Sequence, residues 1–236
     1  MNNFRLPVRH DSDTLYVSGI DSVLIPDDDS AITYSKVELN RLIEAGVRFT
    51  ISTVHTPAVV MSIMKGVDLR LPLIVMDGAA MYDIKEKEYI EAEFLPSQIS
   101  DEAESIIAEQ GLHCFVNVMY DSTLLIFYGD FNNDAERELF SSYKHSPYRK
   151  YIHSACRRFD EYERILYMTV LETADNIHAL EKELDARLGN SVRITVSDSG
   201  YEGYLYLKVF SPLASKQHML KKLKACCHIR QHQGRI

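Results

Sequence analysis

The chain has 236 residues, a formal net charge of −8, 46% hydrophobic and 25% charged residues, which is the composition of an ordinary soluble protein long enough for one large domain or two small ones. An acidic balance leaves no global basic field for nucleic acid or an anionic membrane, so neither is expected as a partner. The longest apolar runs, such as Leu71 to Met76, are far too short to span a bilayer, and the start Met1-Asn-Asn-Phe-Arg5 lacks the apolar stretch of a signal peptide, so a cytoplasmic location is expected. Cys114, Cys156, Cys226 and Cys227 show no regular spacing, which fits reduced thiols better than a disulfide framework.

In chain order, residues 14–20 are apolar and β-prone on both sides, the pattern of a strand inside a parallel sheet, with Gly19, Asp21 and Ser22 at its carboxyl end. Open α/β sheets bind ligands at that end, where crossover helices begin and present unpaired N–H groups. Asp27-Asp-Asp-Ser30 reads as a polar loop, residues 35–45 as a helix stopped by Gly46, and residues 47–53 as a second strand. Thr56-Pro57 supplies an N-cap and first-turn proline for a helix to Met64, and residues 71–76 form a third strand ending at Asp77-Gly78-Ala79. Alternating strands and helices predict a parallel, Rossmann-like sheet.

From Met81 the pattern changes, since residues 81–84 and 88–94 read as a hairpin, and a second, α+β domain is expected from residue 83 to 210. Within it the spacing predicts a helix over 100–110 with Ser100 as N-cap, strands over 113–120, 123–128 and 164–171, and a helix over 133–143. Residues 174–188 form an amphipathic helix with Ile177, Leu180, Leu184 and Leu188 on one stripe, and strands follow over 192–197 and 204–210. Residues 213–225 return to helix. The tail holds Cys226, Cys227, His228 and His232, whose spacing is poor for zinc because adjacent cysteines rarely ligate one metal together.

Read from chemistry alone, Asp21 is a candidate acid or base, Thr53 a hydroxyl donor to an anion and Lys216 a fixed positive charge, together an anion site. Each residue type also has a plain structural use as a turn, a strand end or a solvated helix start.

Four segments carry a resemblance. Tyr16-Val-Ser-Gly-Ile-Asp-Ser-Val-Leu-Ile25 resembles a hydrophobic strand followed by Asp-x-Asp-Gly-Thr-Leu; Phe49-Thr-Ile-Ser-Thr-Val-His55 resembles a strand ending Thr-Gly-Arg; Leu73-Ile-Val-Met-Asp-Gly-Ala79 is similar to Ile-x-x-Asn-Gly-Ala; and residues 204–216 end in a lysine opening a helix. In this order they resemble the haloacid dehalogenase (HAD) superfamily, in its Cof-type sugar-phosphatase-like branch. The resemblance implies an α/β fold: a Rossmann-like parallel-sheet core from residues 1–82 and 211–236, incomplete at its C-terminus, with a large α+β cap inserted over 83–210.

In that family the first Asp attacks phosphorus to give an aspartyl-phosphate, the second protonates the leaving group, threonine and lysine hold the phosphoryl oxygens, and Mg²⁺ offsets the charge. The resemblance therefore assigns Asp21 the acid/base role, Thr53 and Lys216 phosphate positioning, and Ser22, Val54, His55, Asp77 and Gly78 the substrate-binding positions. Gly19 stands where the nucleophile belongs, and the chain stops about where the acidic fourth motif is expected, leaving the backbone carbonyl of Asp21 as a remaining ligand for Mg²⁺. The expected protein is a catalytically inactive or strongly impaired phosphatase relative; the alternatives are a working Mg²⁺-dependent phosphomonoesterase on sugar or nucleotide phosphates, and a non-catalytic interaction or phosphate-binding module. A phosphorylated small molecule is the implied ligand, and the edge of strand 14–20 is expected to be open or covered by the tail or by a second copy of the chain.

Overall fold

The computed structural model describes residues 14–20, 29–145, 149–154 and 164–226, which form two compact units divided between Glu91 and Ala92 and again between Ala214 and Ser215. The first unit is built on parallel strands. Strand β1 (Leu15–Ser18) runs parallel to β2 (Arg48–Ile51), from Leu15 opposite Arg48 to Ser18 opposite Ile51. A parallel bridge between Ser52 and Ile74 and the bond from Thr53 N to Ile74 O (2.9 Å) join β2 to β3 (Leu73–Val75). Among the described strands β1 pairs with β2 alone.

Helices α1 (Asp29–Glu44) and α2 (Pro57–Ile63) connect these strands. The first starts at Asp29 rather than at Ser35, so part of the stretch expected to be loop is helical; polar and acidic residues suit a first turn but carry no apolar period. Thr56 takes the extended N-cap position before Pro57, yet its hydroxyl makes no cap bond.

After β3 the chain makes one tight turn, Met76–Gly78, and returns as β4 (Ala80–Asp83), antiparallel to β3 with Ile74 opposite Met81. Strand β5 (Glu88–Ala92) completes this sheet, and Asp83 Oδ1 accepts the N–H groups of Lys85 (2.8 Å) and Glu86 (3.1 Å) in the hairpin turn. The hairpin therefore belongs with the first unit, and the division falls after Glu91 instead of at residue 83, because β4 is bonded to β3 along its length. The last helix, α6 (Lys216–Cys226), buries Met219 and Leu223 against Ile74 and Met81, with Leu15 and Leu220 at the margin. Each fully buried side chain of this size is worth about 1.5–3 kcal/mol of transfer free energy. An ion pair between Lys222 Nζ and Glu91 Oε1 (2.7 Å) ties the helix to β5. Residues beyond Cys226, with the rest of the cysteine and histidine cluster, lie outside the described residues.

The second unit contains a six-stranded sheet in the order β10-β11-β9-β6-β7-β8. Its strands are β6 (Phe115–Tyr120), β7 (Thr123–Tyr128), β8 (Arg149–His153), β9 (Ile165–Thr173), β10 (Arg193–Asp198) and β11 (Tyr204–Phe210). Helices α3 (Ser97–Glu109) and α5 (Ala174–Leu188) cover one face, where Ile106, Ile177, Leu180 and Leu184 meet Val116, Met168, Val170 and Leu207 in a single buried cluster. Helix α4 (Asp134–Tyr143) serves the other face, since Phe140 packs 5.2 Å from Tyr128, the neighbour of core-facing Phe127.

Two expectations fail here for local reasons. Helix α3 begins at Ser97 after Pro96, so Ser100 is not its cap but a buried residue of the first turns, donating Oγ–H to Ser97 O (2.7 Å). Proline already ends the extended segment and presets the helical entry, so the helix starts there. Strand β8 has no counterpart among the expected strands: Arg-Lys-Tyr-Ile-His is too charged to read as one, as suits a sheet edge paired parallel to β7. No described helix is long and apolar enough to cross a membrane.

The start of α4 carries a buried charge. Asn133 caps the helix by accepting Glu136 N–H (2.9 Å), and Glu136 Oε2 reaches back to accept Asn132 N–H (2.7 Å), a reciprocal capping arrangement. Glu136 is 3% exposed; burial raises its pKa from 4.5 to about 7, with the nearby Glu172 carboxylate pushing the same way and the two asparagine N–H bonds opposing. A folded pKa above the unfolded value favours the protonated native state. Folding is therefore unpenalised below pH 4.5, loses stability as pH rises from there to about 7, and stays at the lower level above it. Glu136→Gln keeps the acceptor without the charge and is expected to stabilise the protein above pH 7 by about 1–3 kcal/mol. Urea midpoints measured across this pH range should lose their downward slope in the variant; an unchanged slope would mean that Glu136 is not its source.

Candidate functional site

The sequence motifs converge where β1, β2 and β3 end. Gly19 follows β1 directly, its carbonyl accepting Ser18 Oγ–H (2.9 Å), while Ser18 O accepts Ser52 N–H (2.9 Å). Thr53 is the next residue on the neighbouring strand and is 1% exposed. Its hydroxyl accepts His55 N–H (3.2 Å) and so shapes a short turn in which Val54 is exposed. Accepting that bond leaves the hydroxyl proton available for donation. The hydroxyls of Ser52 and Thr56, on either side of this turn, are buried without a hydrogen-bond partner. The sequence offered Thr56 only as a helix N-cap and Ser52 only as part of its strand, since neither carries a local signal of function.

The turn after β3 is tied to the turn after β2 by two backbone bonds, Met76 N to His55 O (2.9 Å) and Asp77 N to Thr53 O (3.0 Å). These bonds hold three successive residues at positive φ: Met76 at 50°, Asp77 at 57° and Gly78 at 85°. Aspartate is tolerated there better than most residues, but methionine is strained, a cost of about 1–3 kcal/mol that the surrounding bonds must overcome.

Gly78 is also required by contact. A Cβ built on it would lie 2.1 Å from Ser215 C and 2.3 Å from Lys216 N, well inside van der Waals distance. The turn and the start of α6 therefore touch backbone to backbone. Ser215 caps that helix, its Oγ accepting His218 N–H (3.1 Å), which places Lys216 on the first helical residue. The Lys216 ammonium then lies 3.5 Å from Asp77 Oδ1, both side chains being partly exposed.

Of the residues singled out by the sequence, Thr53, His55, Asp77, Gly78 and Lys216 are thus joined by contacts, Gly19 stands beside them at the end of β1, and Val54 points to solvent. Asp21 and Ser22 lie outside the described residues. No three His, Cys, Asp or Glu side chains converge as metal ligands among the described residues, and Asp77 at this turn faces an ammonium. Mg²⁺ takes an octahedron of oxygens, and among the described residues of this turn Asp77 is the carboxylate that could contribute to one. A separate cleft of about 230 Å³ in the second unit, lined in part by His113, Cys114, Asp130 and His153, includes none of the motif residues.

The close approach at Gly78 gives a direct expectation. Gly78→Ala should destabilise the protein by roughly 2–4 kcal/mol, since the methyl group meets backbone that cannot turn aside. Urea denaturation should show a lower midpoint with an unchanged slope; a midpoint like that of the native protein would show that the turn and α6 are not in contact.

Comparison with known proteins agrees with this architecture. A family model described as haloacid dehalogenase-like hydrolase matches residues 16–233. Among solved structures, a haloacid dehalogenase-like hydrolase from Bacteroides thetaiotaomicron is similar at TM-score 0.68 and 16% identity, covering 91% of this chain and 77% of that one. Another from B. subtilis is similar at TM-score 0.66 and 16% identity, covering 92% and 79%. A HAD subclass IIB sugar phosphatase is similar at TM-score 0.60 and 17% identity, covering 92% and 76%. No curated protein matches the sequence. The chain belongs to the haloacid dehalogenase-like hydrolase family.

Proposed function

We propose that this chain is a HAD-family protein that keeps a phosphate-sized anion site but does not run the family's covalent phosphoryl transfer, acting instead as a cytoplasmic pseudoenzyme or binding module for a phosphorylated small molecule. The observation that carries this reading is Gly19. It follows β1 at the strand end, beside Ser52 and Thr53, at the position the family gives to the attacking carboxylate, and glycine has no group to form an acyl phosphate. Phosphoryl transfer depends on an aligned nucleophile and on neutralised charge, so the loss of one carboxylate removes both a reactant and a metal ligand.

The remaining groups support binding better than chemistry. Thr53 retains a donor, Ser52 and Thr56 hold buried hydroxyls without partners, and Lys216 supplies a positive charge at a helix start. Asp21 as an acid or base would still act on a leaving group that nothing has attacked. The second reading, a working phosphomonoesterase, needs another carboxylate as nucleophile. Asp77 is the candidate at this turn, and its carboxylate is held by Lys216.

The test is a metal-dependence assay on a generic phosphomonoester with the native protein, Gly19→Asp and Asp21→Ala. The native protein is expected to give background rates with and without Mg²⁺. Robust native turnover that disappears in Asp21→Ala would overturn the reading.

A further inference from the structure

We propose that Asp77 acts as the resident counter-ion of Lys216, so that the protein's own carboxylate lowers, without abolishing, the affinity of the site for phosphate. This rests on the reading of the β1–β2–β3 ends as an anion site, and it names what governs binding there.

Three observations fix the arrangement. The Asp77 carboxylate lies 3.5 Å from the Lys216 ammonium, within the reach of a direct ion pair. The backbone under Asp77 has little freedom, because Met76 N–H and Asp77 N–H are both bonded to the turn after β2, and φ at Asp77 is held at 57°. The backbone of the other partner is fixed as well, since the Gly78 contact sets Lys216 N against the turn and Ser215 Oγ already takes one of the first free N–H groups of α6. The charge and one of the amide donors at that helix start are therefore engaged within the protein.

A phosphate entering here meets a carboxylate as well as an ammonium. Two like charges a few ångströms apart in a partly exposed site cost enough to weaken binding by about tenfold. Asparagine at the same place keeps the side-chain shape, tolerates positive φ, and leaves the lysine uncommitted. Asp77 thus sets the charge selectivity of the site: ligands without full negative charge face no repulsion from it, whereas a phosphate dianion must displace it.

The experiment is calorimetric titration of inorganic phosphate, at low salt and neutral pH, into the native protein, Asp77→Asn, Lys216→Met and the double variant, each first checked for an unchanged urea midpoint. Asp77→Asn is expected to bind phosphate about tenfold more tightly than the native protein, and Lys216→Met in that background to abolish the gain. Lys216→Met alone is expected to lower the weak native affinity by a smaller factor than it lowers that of Asp77→Asn, because Asp77 already offsets part of the lysine's charge, and this arm can be read even if Asp77→Asn fails to fold. Equal affinity of the native protein and Asp77→Asn, a gain that survives loss of Lys216, or a large loss in Lys216→Met alone would each overturn the proposal. Native turnover abolished by Asp77→Asn would make Asp77 a nucleophile and also overturn it. Turnover dependent on Asp21 but not on Asp77 would remove only the non-catalytic reading, since the phosphate titration measures binding without it.

Discussion

The first unit depends on one contact, the meeting of the Gly78 turn with the backbone of Ser215 and Lys216. Any side chain at Gly78 would push α6 away. With α6 would go the burial of Met219 and Leu223 against Ile74 and Met81, and the pairing of Lys216 with Asp77. The contact needs a turn that only unusual backbone allows. Three residues at positive φ are stable there because Thr53 O and His55 O hold the amides of Asp77 and Met76. The strand-end turns of β2 and β3 and the start of α6 are thus one mechanical assembly, and the side chains on it share a fixed geometry.

Much of this was legible in the sequence where a regular period met a clear stop. The stripe Ile177, Leu180, Leu184 and Leu188 lies buried on α5, and β7, β11 and α5 have the expected bounds. The parallel order of β1, β2 and β3 followed from alternating strand and helix signals. Other features gave no local sign. Strand β8 is charged because it lies at an edge, and the hairpin's allegiance to the first unit depends on β4 pairing with β3, a fact of topology that a change in texture at Met81 could not reveal. The start of α3 was misplaced because Ser100-Asp-Glu has the composition of a cap while Pro96 has the geometry.

For the candidate site, the motif positions were legible but their contacts were not. Asp77 was visible as an added negative charge where the family has asparagine, while its partner lies far along the chain on another helix, joined only by folding. Gly78 was visible as part of a motif, and the reason only glycine fits, a backbone 2.1 Å from where a Cβ would be, is a tertiary fact. The buried hydroxyls of Ser52 and Thr56 belong to the same class. In the second unit Glu136 illustrates the cost of such arrangements, since its cap bonds come with a carboxylate buried beside that of Glu172.

Taken with family membership, these contacts support an account in which an anion site persists at the strand ends without the carboxylate that would react there. The most direct test of that claim is a trapping experiment: incubate the native protein with a radiolabelled phosphoryl donor such as acetyl phosphate and Mg²⁺, quench with acid, and assay for protein-bound, hydroxylamine-labile phosphate. The account predicts no label on the native protein, because Gly19 has no side-chain carboxylate to phosphorylate. Stoichiometric acyl phosphate on the native chain would contradict it and identify another carboxylate as the nucleophile.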